Sequence, residues 1–169
     1  MRFSYMPDGI DGLVLTDREY LRELNNRLLY ELDILLDRYG ESELACDFPG
    51  EKWEDVWKRE TREIVEFCNS GKMIVFLTFE EEEDCELVVS ALQSRPKSFI
   101  NLSSGKMILL NAGELIQCLS YPSLEMETIL DTSLEPGIYL LAHEGIVNIR
   151  LEKTGNMSGL AANNVIFYT

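Results

Sequence analysis

Ser70-Gly71-Lys72-Met73-Ile74-Val75-Phe76-Leu77-Thr78-Phe79 is where the chain changes its period. Before this stretch, apolar residues recur at steps of three and four. After Lys72 they run almost without interruption to Phe79, with β-branched and aromatic members. So short and so apolar a run fits a buried strand.

Upstream the pattern is helical. Leu21, Leu24, Leu28, Leu32 and Leu35 share one helical face. Thr16 with Glu19 fits a capping box, and Gly40 stands where a left-handed C-terminal cap is expected. The spacing predicts a helix over 16–39. Pro49-Gly50 then punctuates a connection, and a second helix is predicted over 51–69, with Trp53, Val56, Trp57, Ile64, Phe67 and Cys68 as its apolar stripe. Glu51, Glu54 and Asp55 fall in its first turn, where the helix dipole favours negative charge.

Downstream the pattern is of strands and turns. Strands are predicted at 86–92, 97–103, 106–110, 114–121, 124–130, 138–142, 146–152 and 165–168. Ser104-Gly105, Tyr121-Pro122, Pro136-Gly137 and Thr154-Gly155 break the runs between several of them. In Val147-Asn148-Ile149-Arg150-Leu151-Glu152 the alternation is clean, so one face should be buried and the other wet. No helical crossover is evident between strands, which points to antiparallel pairing. The fold expected is therefore α+β: an N-terminal helix pair packed on a C-terminal antiparallel β-sandwich or curved sheet. Residues 1–169 would form a single domain, mainly helical and acidic over 1–71 and mainly β over 72–169. Ser70-Gly71-Lys72-Met73-Ile74 recurs as Ser104-Gly105-Lys106-Met107-Ile108, an echo read as shared turn-to-strand chemistry. It is not a phosphate loop, which needs another glycine upstream and Ser or Thr after the lysine.

Charge narrows the partners. Among 169 residues there are 15 Lys and Arg against 30 Asp and Glu, a net charge of −15. Residues 1–86 hold 10 basic and 23 acidic side chains, a net of −13; residues 87–169 hold 5 and 7, a net of −2. A nucleic-acid binder needs clustered Lys and Arg, and an anionic membrane surface would repel this chain. No apolar run is long enough to span a bilayer, and residues 1–15 do not read as a signal peptide. The cytoplasm is the compartment expected, with Cys46, Cys68, Cys85 and Cys118 as reduced thiols.

The sharpest local feature is Glu80-Glu81-Glu82-Glu83-Asp84, with Glu86 close behind. Neighbouring carboxylates repel one another, so the segment reads as a solvated loop guarding a strand edge, or as a docking surface for Lys and Arg of a partner. A hard cation is a third reading, but the calcium-loop spacing is missing. Trp53 and Trp57, four residues apart among acids, read either as core packing or as an aromatic anchor inside an acidic rim. His143 is the sole histidine and falls in a predicted turn; no nucleophile-elbow motif accompanies it.

Ser104-Gly105-Lys106-Met107-Ile108-Leu109-Leu110, followed by Leu134-Glu135-Pro136-Gly137-Ile138-Tyr139-Leu140, resembles a pattern in some bacterial immunity and nuclease-inhibitor β-sandwich proteins. The resemblance covers about residues 97–152. It implies a cytoplasmic bacterial protein that neutralises a cognate toxin, and it transfers no binding residues. The function expected is an acidic inhibitor that captures a basic toxin or nuclease by electrostatically steered binding. Its contacts would be Glu51, Trp53, Glu54, Asp55, Trp57, Glu80, Glu81, Glu82, Glu83, Asp84 and Glu86. No catalytic residue, cofactor or metal is expected. The alternatives are an enzyme using His143 or a carboxylate pair, and an assembly or adaptor subunit.

Overall fold

The computed structural model describes residues 1–5, 11–40, 58–78, 83–144, 148–157, 160 and 162–167. The N-terminus is strand, not helix: β1 is Arg2–Tyr5 and β2 is Asp11–Asp17. A 3-10 turn, Arg18–Glu23, leads to helix α1, Asn26–Gly40, and α2 is the short helix Arg62–Phe67. A π-turn over Cys68–Lys72 feeds β3, Met73–Thr78. Then come β4, Glu83–Val89; β5, Ser98–Leu102; β6, Lys106–Asn111; and helix α3, Ala112–Ser120. The chain ends with β7, Leu130–Ser133; β8, Gly137–Glu144; β9, Asn148–Thr154; and β10, Val165–Phe167.

These strands make two five-stranded sheets. The first has the order β1-β4-β9-β8-β5 and the second β10-β3-β2-β6-β7. Both are mixed, because β4 runs parallel to β9 and β10 runs parallel to β3. One apolar layer lies between the sheets, with Tyr5, Leu15, Phe76, Leu87, Ile100 and Leu151 among its members. A second layer lies between the outer face of the second sheet and the helices, and includes Leu32, Leu35, Ile64, Val75, Ile108 and Leu115. Strand β3 alternates between the two layers: Ile74 and Phe76 face the first, while Met73, Val75 and Leu77 face the second. Burial on both faces is why its sequence is a continuous apolar run rather than an alternation. Each fully buried side chain of this kind contributes about 1.5–3 kcal/mol over its exposed state.

The expected fold is corrected on three counts. First, the described residues do not open with a helix pair but with strands β1 and β2. Thr16 and Asp17 end a strand that sits between β3 and β6 in the middle of its sheet. The capping chemistry belongs to Asp17, whose carboxylate accepts the Glu19 N–H at 2.9 Å, while Thr16 Oγ1 donates to the Lys72 carbonyl at 2.7 Å. Second, the β region is not wholly antiparallel. The missing crossover constrains only strands adjacent in sequence, and both parallel pairs join strands far apart in the chain. Third, of the strand predicted at 114–121, residues 114–120 are helix. Ala112, Leu115 and Cys118 are buried at steps of three, and Ile116 is the sole β-branched residue in that stretch. No strand covers 124–129. Among the described residues, β1 and β2 lie before residue 71 and α3 lies after it. Of the second predicted helix, residues 58–60 and 62–67 are helical; Trp53, Val56 and Trp57 lie outside the described residues.

The repeated Ser-Gly-Lys-Met-Ile does a similar job twice. Gly71 and Gly105 take φ of +85° and +73°, a region that disfavours side chains. Each turn delivers its strand, β3 or β6, to opposite edges of β2. A methyl group at Gly71 would run into the Phe99 ring, and one at Gly105 into the Leu134 carbonyl oxygen.

Buried polar side chains stitch the layers together. Glu31 on α1 is fully buried; it accepts the Ile64 N–H of α2 at 2.8 Å and lies 3.3 Å from Arg27. That carboxylate satisfies a helix N–H that has no partner within its own helix. Cys68, Cys85 and Cys118 are buried and form no disulfide among the described residues. Burial pushes the Cys68 thiol far above its ordinary value near 9.0. Below about pH 8.5 both folded and unfolded chains hold this thiol neutral. Above it only the unfolded chain ionises, so stability should fall by about 1.4 kcal/mol per pH unit on this account. Urea midpoints measured from neutral to alkaline pH should fall more steeply for the natural chain than for Cys68→Ala; equal slopes would refute the assignment.

Candidate functional site

The two sheets differ in what covers them. Helices close the outer face of the second sheet, whereas among the described residues no helix packs on the outer face of the first. Strand alternation fixes what that open face presents. Phe3, Tyr5, Cys85, Leu87, Ile149 and Leu151 point into the core. Arg2 and Ser4 of β1, Asp84 and Glu86 of β4, and Asn148, Arg150 and Glu152 of β9 therefore point outward.

Register places these side chains in rows. Arg2 stands opposite Glu86, and Glu86 opposite Asn148. Arg2 Nε lies 3.9 Å from Glu86 Oε1, an exposed pair of little energetic weight. Ser4 Oγ donates to Asp84 Oδ1 at 3.2 Å. Two grooves adjoin here and share Asn148. One, of about 510 Å³, is lined by Arg2, Phe3, Ser4, Asp84, Cys85, Glu86 and Asn148. The other, of about 460 Å³, is lined by Gln93, Ser94, Ala142, His143, Glu144, Asn148 and Arg150. The segment after β4 walls the second groove. It is tied down by Glu152, whose carboxylate accepts the Leu92 N–H at 2.8 Å, and by the Ser90 N–H, which donates to the Leu151 carbonyl at 2.9 Å.

Of the contacts expected from sequence, Asp84 and Glu86 reach this face. Glu83 belongs to β4 through its backbone, paired with Tyr5. Glu51, Trp53, Glu54, Asp55, Trp57, Glu80, Glu81 and Glu82 lie outside the described residues. His143 is not in an isolated turn: it is the penultimate residue of β8, lines the second groove and meets the Phe76 ring edge-on with centroids 5.8 Å apart. The sequence reading missed Arg2, Ser4, Asn148 and Arg150 as site residues. The alternation over 147–152 already placed Asn148 and Arg150 on a wet face. That of Arg2-Phe3-Ser4-Tyr5 spans too few residues to stand out.

Among the described residues, no group of three or more His, Cys, Asp or Glu is placed to hold a metal ion, and no helix is long and apolar enough to cross a membrane. The fold and this face define a two-sheet β protein with helices on its second sheet and a polar β1-β4-β9 surface that no described helix covers. No family model, curated protein or solved structure matches the chain.

Proposed function

We propose that the protein is a binding module that captures a basic protein partner on the open face of its first sheet, in the manner of toxin-neutralising immunity proteins. One observation carries the reading: Asp84 and Glu86, at the end of the acidic run 80–84, stand outward on a sheet face that no described helix covers. The surrounding field supports it, since residues 1–86 carry a net of −13. Such a field speeds encounter with a basic surface above the neutral rate of about 10⁵–10⁶ M⁻¹s⁻¹ and makes it salt-sensitive. A sheet face of this breadth suits a partner that is itself a folded surface, with Ser4, Asn148 and the Arg2–Glu86 pair giving the contact its polar register.

The test compares two variants of equal charge. One carries Glu81→Gln, Glu82→Gln, Asp84→Asn and Glu86→Gln. The other neutralises four acids elsewhere, Glu19, Asp33, Glu63 and Glu125, all exposed. The natural chain, immobilised at low salt in an extract of its own host, should retain a basic protein that salt steps release. With that protein purified, the first variant should slow association roughly tenfold or more and the second far less. Equal losses in both variants, or none in either, would rule out this face as the contact.

A further inference from the structure

We propose that the groove at the Arg150 end of the open face is a binding site for an oxyanion, a carboxylate or a phosphate group. Its holding groups would be the Arg150 guanidinium and the amides of Asn148 and Gln93, with the Ser94 hydroxyl at the rim. The inference goes beyond the partner reading and stands independently of it.

The observation behind it is an imbalance. Among the Lys and Arg whose side chains are described, two are half-buried, Lys72 and Arg150, and the others are exposed. Lys72 has its carboxylate, Glu23, and lies over the rings of Tyr20 and Phe67. Arg150 has no carboxylate within ion-pair distance among the described residues, although acids outnumber bases two to one in this chain. Its sole hydrogen bond there is a long one, from Nη1 to Ser90 Oγ at 3.4 Å. Its direct cross-strand neighbours are apolar, Val88 on β4 and Ala142 on β8. Glu152, two residues along the same strand face, spends its carboxylate on the Leu92 N–H.

A guanidinium pays to leave water unless its donors are met, and its planar fork matches carboxylate and phosphate oxygens in pairs. The groove beside it holds about 460 Å³, enough for such a group, and its lining supplies further donors from Asn148, Gln93 and Ser94. The net charge of −15 opposes anions at long range. Salt screens that field beyond about 8 Å, whereas a contact pair in a partly dry groove is screened much less. Glu144 on the same lining disfavours the most highly charged ligands and leaves small oxyanions as the best match.

The test is an amide-resolved NMR titration of the full chain at constant ionic strength, with inorganic phosphate in one arm, acetate in another and chloride as the reference. Saturable shifts centred on residues 93–94, 142–144 and 148–150 with phosphate, acetate or both are expected, and the stronger arm names the source chemistry. Arg150→Gln should weaken the binding about tenfold or more, and Arg150→Lys, which keeps charge without the fork, should fall between. Shifts no larger than those with chloride, or an unchanged affinity in Arg150→Gln, would overturn the proposal. If Arg150→Gln fails to fold, the titration of the natural chain alone decides.

Discussion

Asn164→Ala is expected to lower the unfolding free energy by on the order of 3–5 kcal/mol. Asn164 is fully buried and immediately precedes β10. Its Nδ2 donates toward three carbonyls: Cys68 at 2.7 Å, Phe99 at 2.8 Å and Met73 at 3.1 Å. Its Oδ1 accepts the Phe99 N–H at 3.3 Å. Those partners sit on the π-turn, on edge strand β5 of the first sheet and on β3 of the second, so one side chain ties the two sheets together. Truncation removes these bonds from backbone groups that are buried, at Cys68 and Met73, or part-buried, at Phe99, and each buried group left unmet costs about 1–3 kcal/mol. Stabilities of this order are large against the ~5–15 kcal/mol of a whole domain. Asn164→Asp should be at least as damaging despite its shape, because a carboxylate oxygen would face three carbonyl oxygens. Urea unfolding reads both: the midpoint should fall with little change in slope. A midpoint loss in Asn164→Ala worth less than about 1 kcal/mol would show that these bonds do not hold the sheets.

Asp17 supplies the second large effect. It has no exposed surface, and its carboxylate meets three donors: Ser104 Oγ at 2.6 Å, the Ser104 N–H at 2.8 Å and the Glu19 N–H at 2.9 Å. It thereby fixes the β6 turn at the end of β2 and starts the 3-10 turn. Asp17→Ala should cost about 3–5 kcal/mol, since hydrogen bonds to a charged acceptor are the stronger kind. Asp17→Asn should cost about 2–4 kcal/mol although it is isosteric. Either orientation of the amide aims its N–H₂ at a backbone N–H, of Ser104 or of Glu19, where an acceptor is needed. Calorimetry should show lowered melting temperatures in both variants, with coupling between Asp17 and Ser104 visible in a double-mutant cycle. Additive effects in that cycle would mean that the two residues act separately.

Neither residue announces itself in one dimension. Asp17 reads locally as part of a helix start, and its chief partner is Ser104, 87 positions away. Asn164 sits in a polar stretch that reads as loop, and its partners lie 65 to 96 positions away. What was legible was local: the α1 leucines, the buried run at β3, the turns at Gly71 and Gly105, and the alternation along β9. The errors came where local signals compete. The 16–23 stretch carries helical spacing, but pairing with β3 and β6 holds Thr16 and Asp17 in a strand. The α3 sequence is mostly apolar, so its period of three was hidden among candidate strands.

The candidate site divides in the same way. Composition and charge placement pointed to an acidic surface around residues 80–86, and that follows from side-chain chemistry alone. Which sheet face stays open does not, because it depends on where α1, α2 and α3 come to rest. Arg150 as a half-buried cation with no carboxylate at ion-pair distance among the described residues likewise emerges only after β4, β8 and β9 are set side by side, since that is a property of its cross-strand neighbours. By itself the sequence determined the periodicity of its segments, their turns and the sign of the surface field, all set by residues close along the chain. The tertiary structure alone decided the mixed strand order, the buried polar ties and the open face, because each rests on contacts between segments whose distance in sequence leaves no local trace.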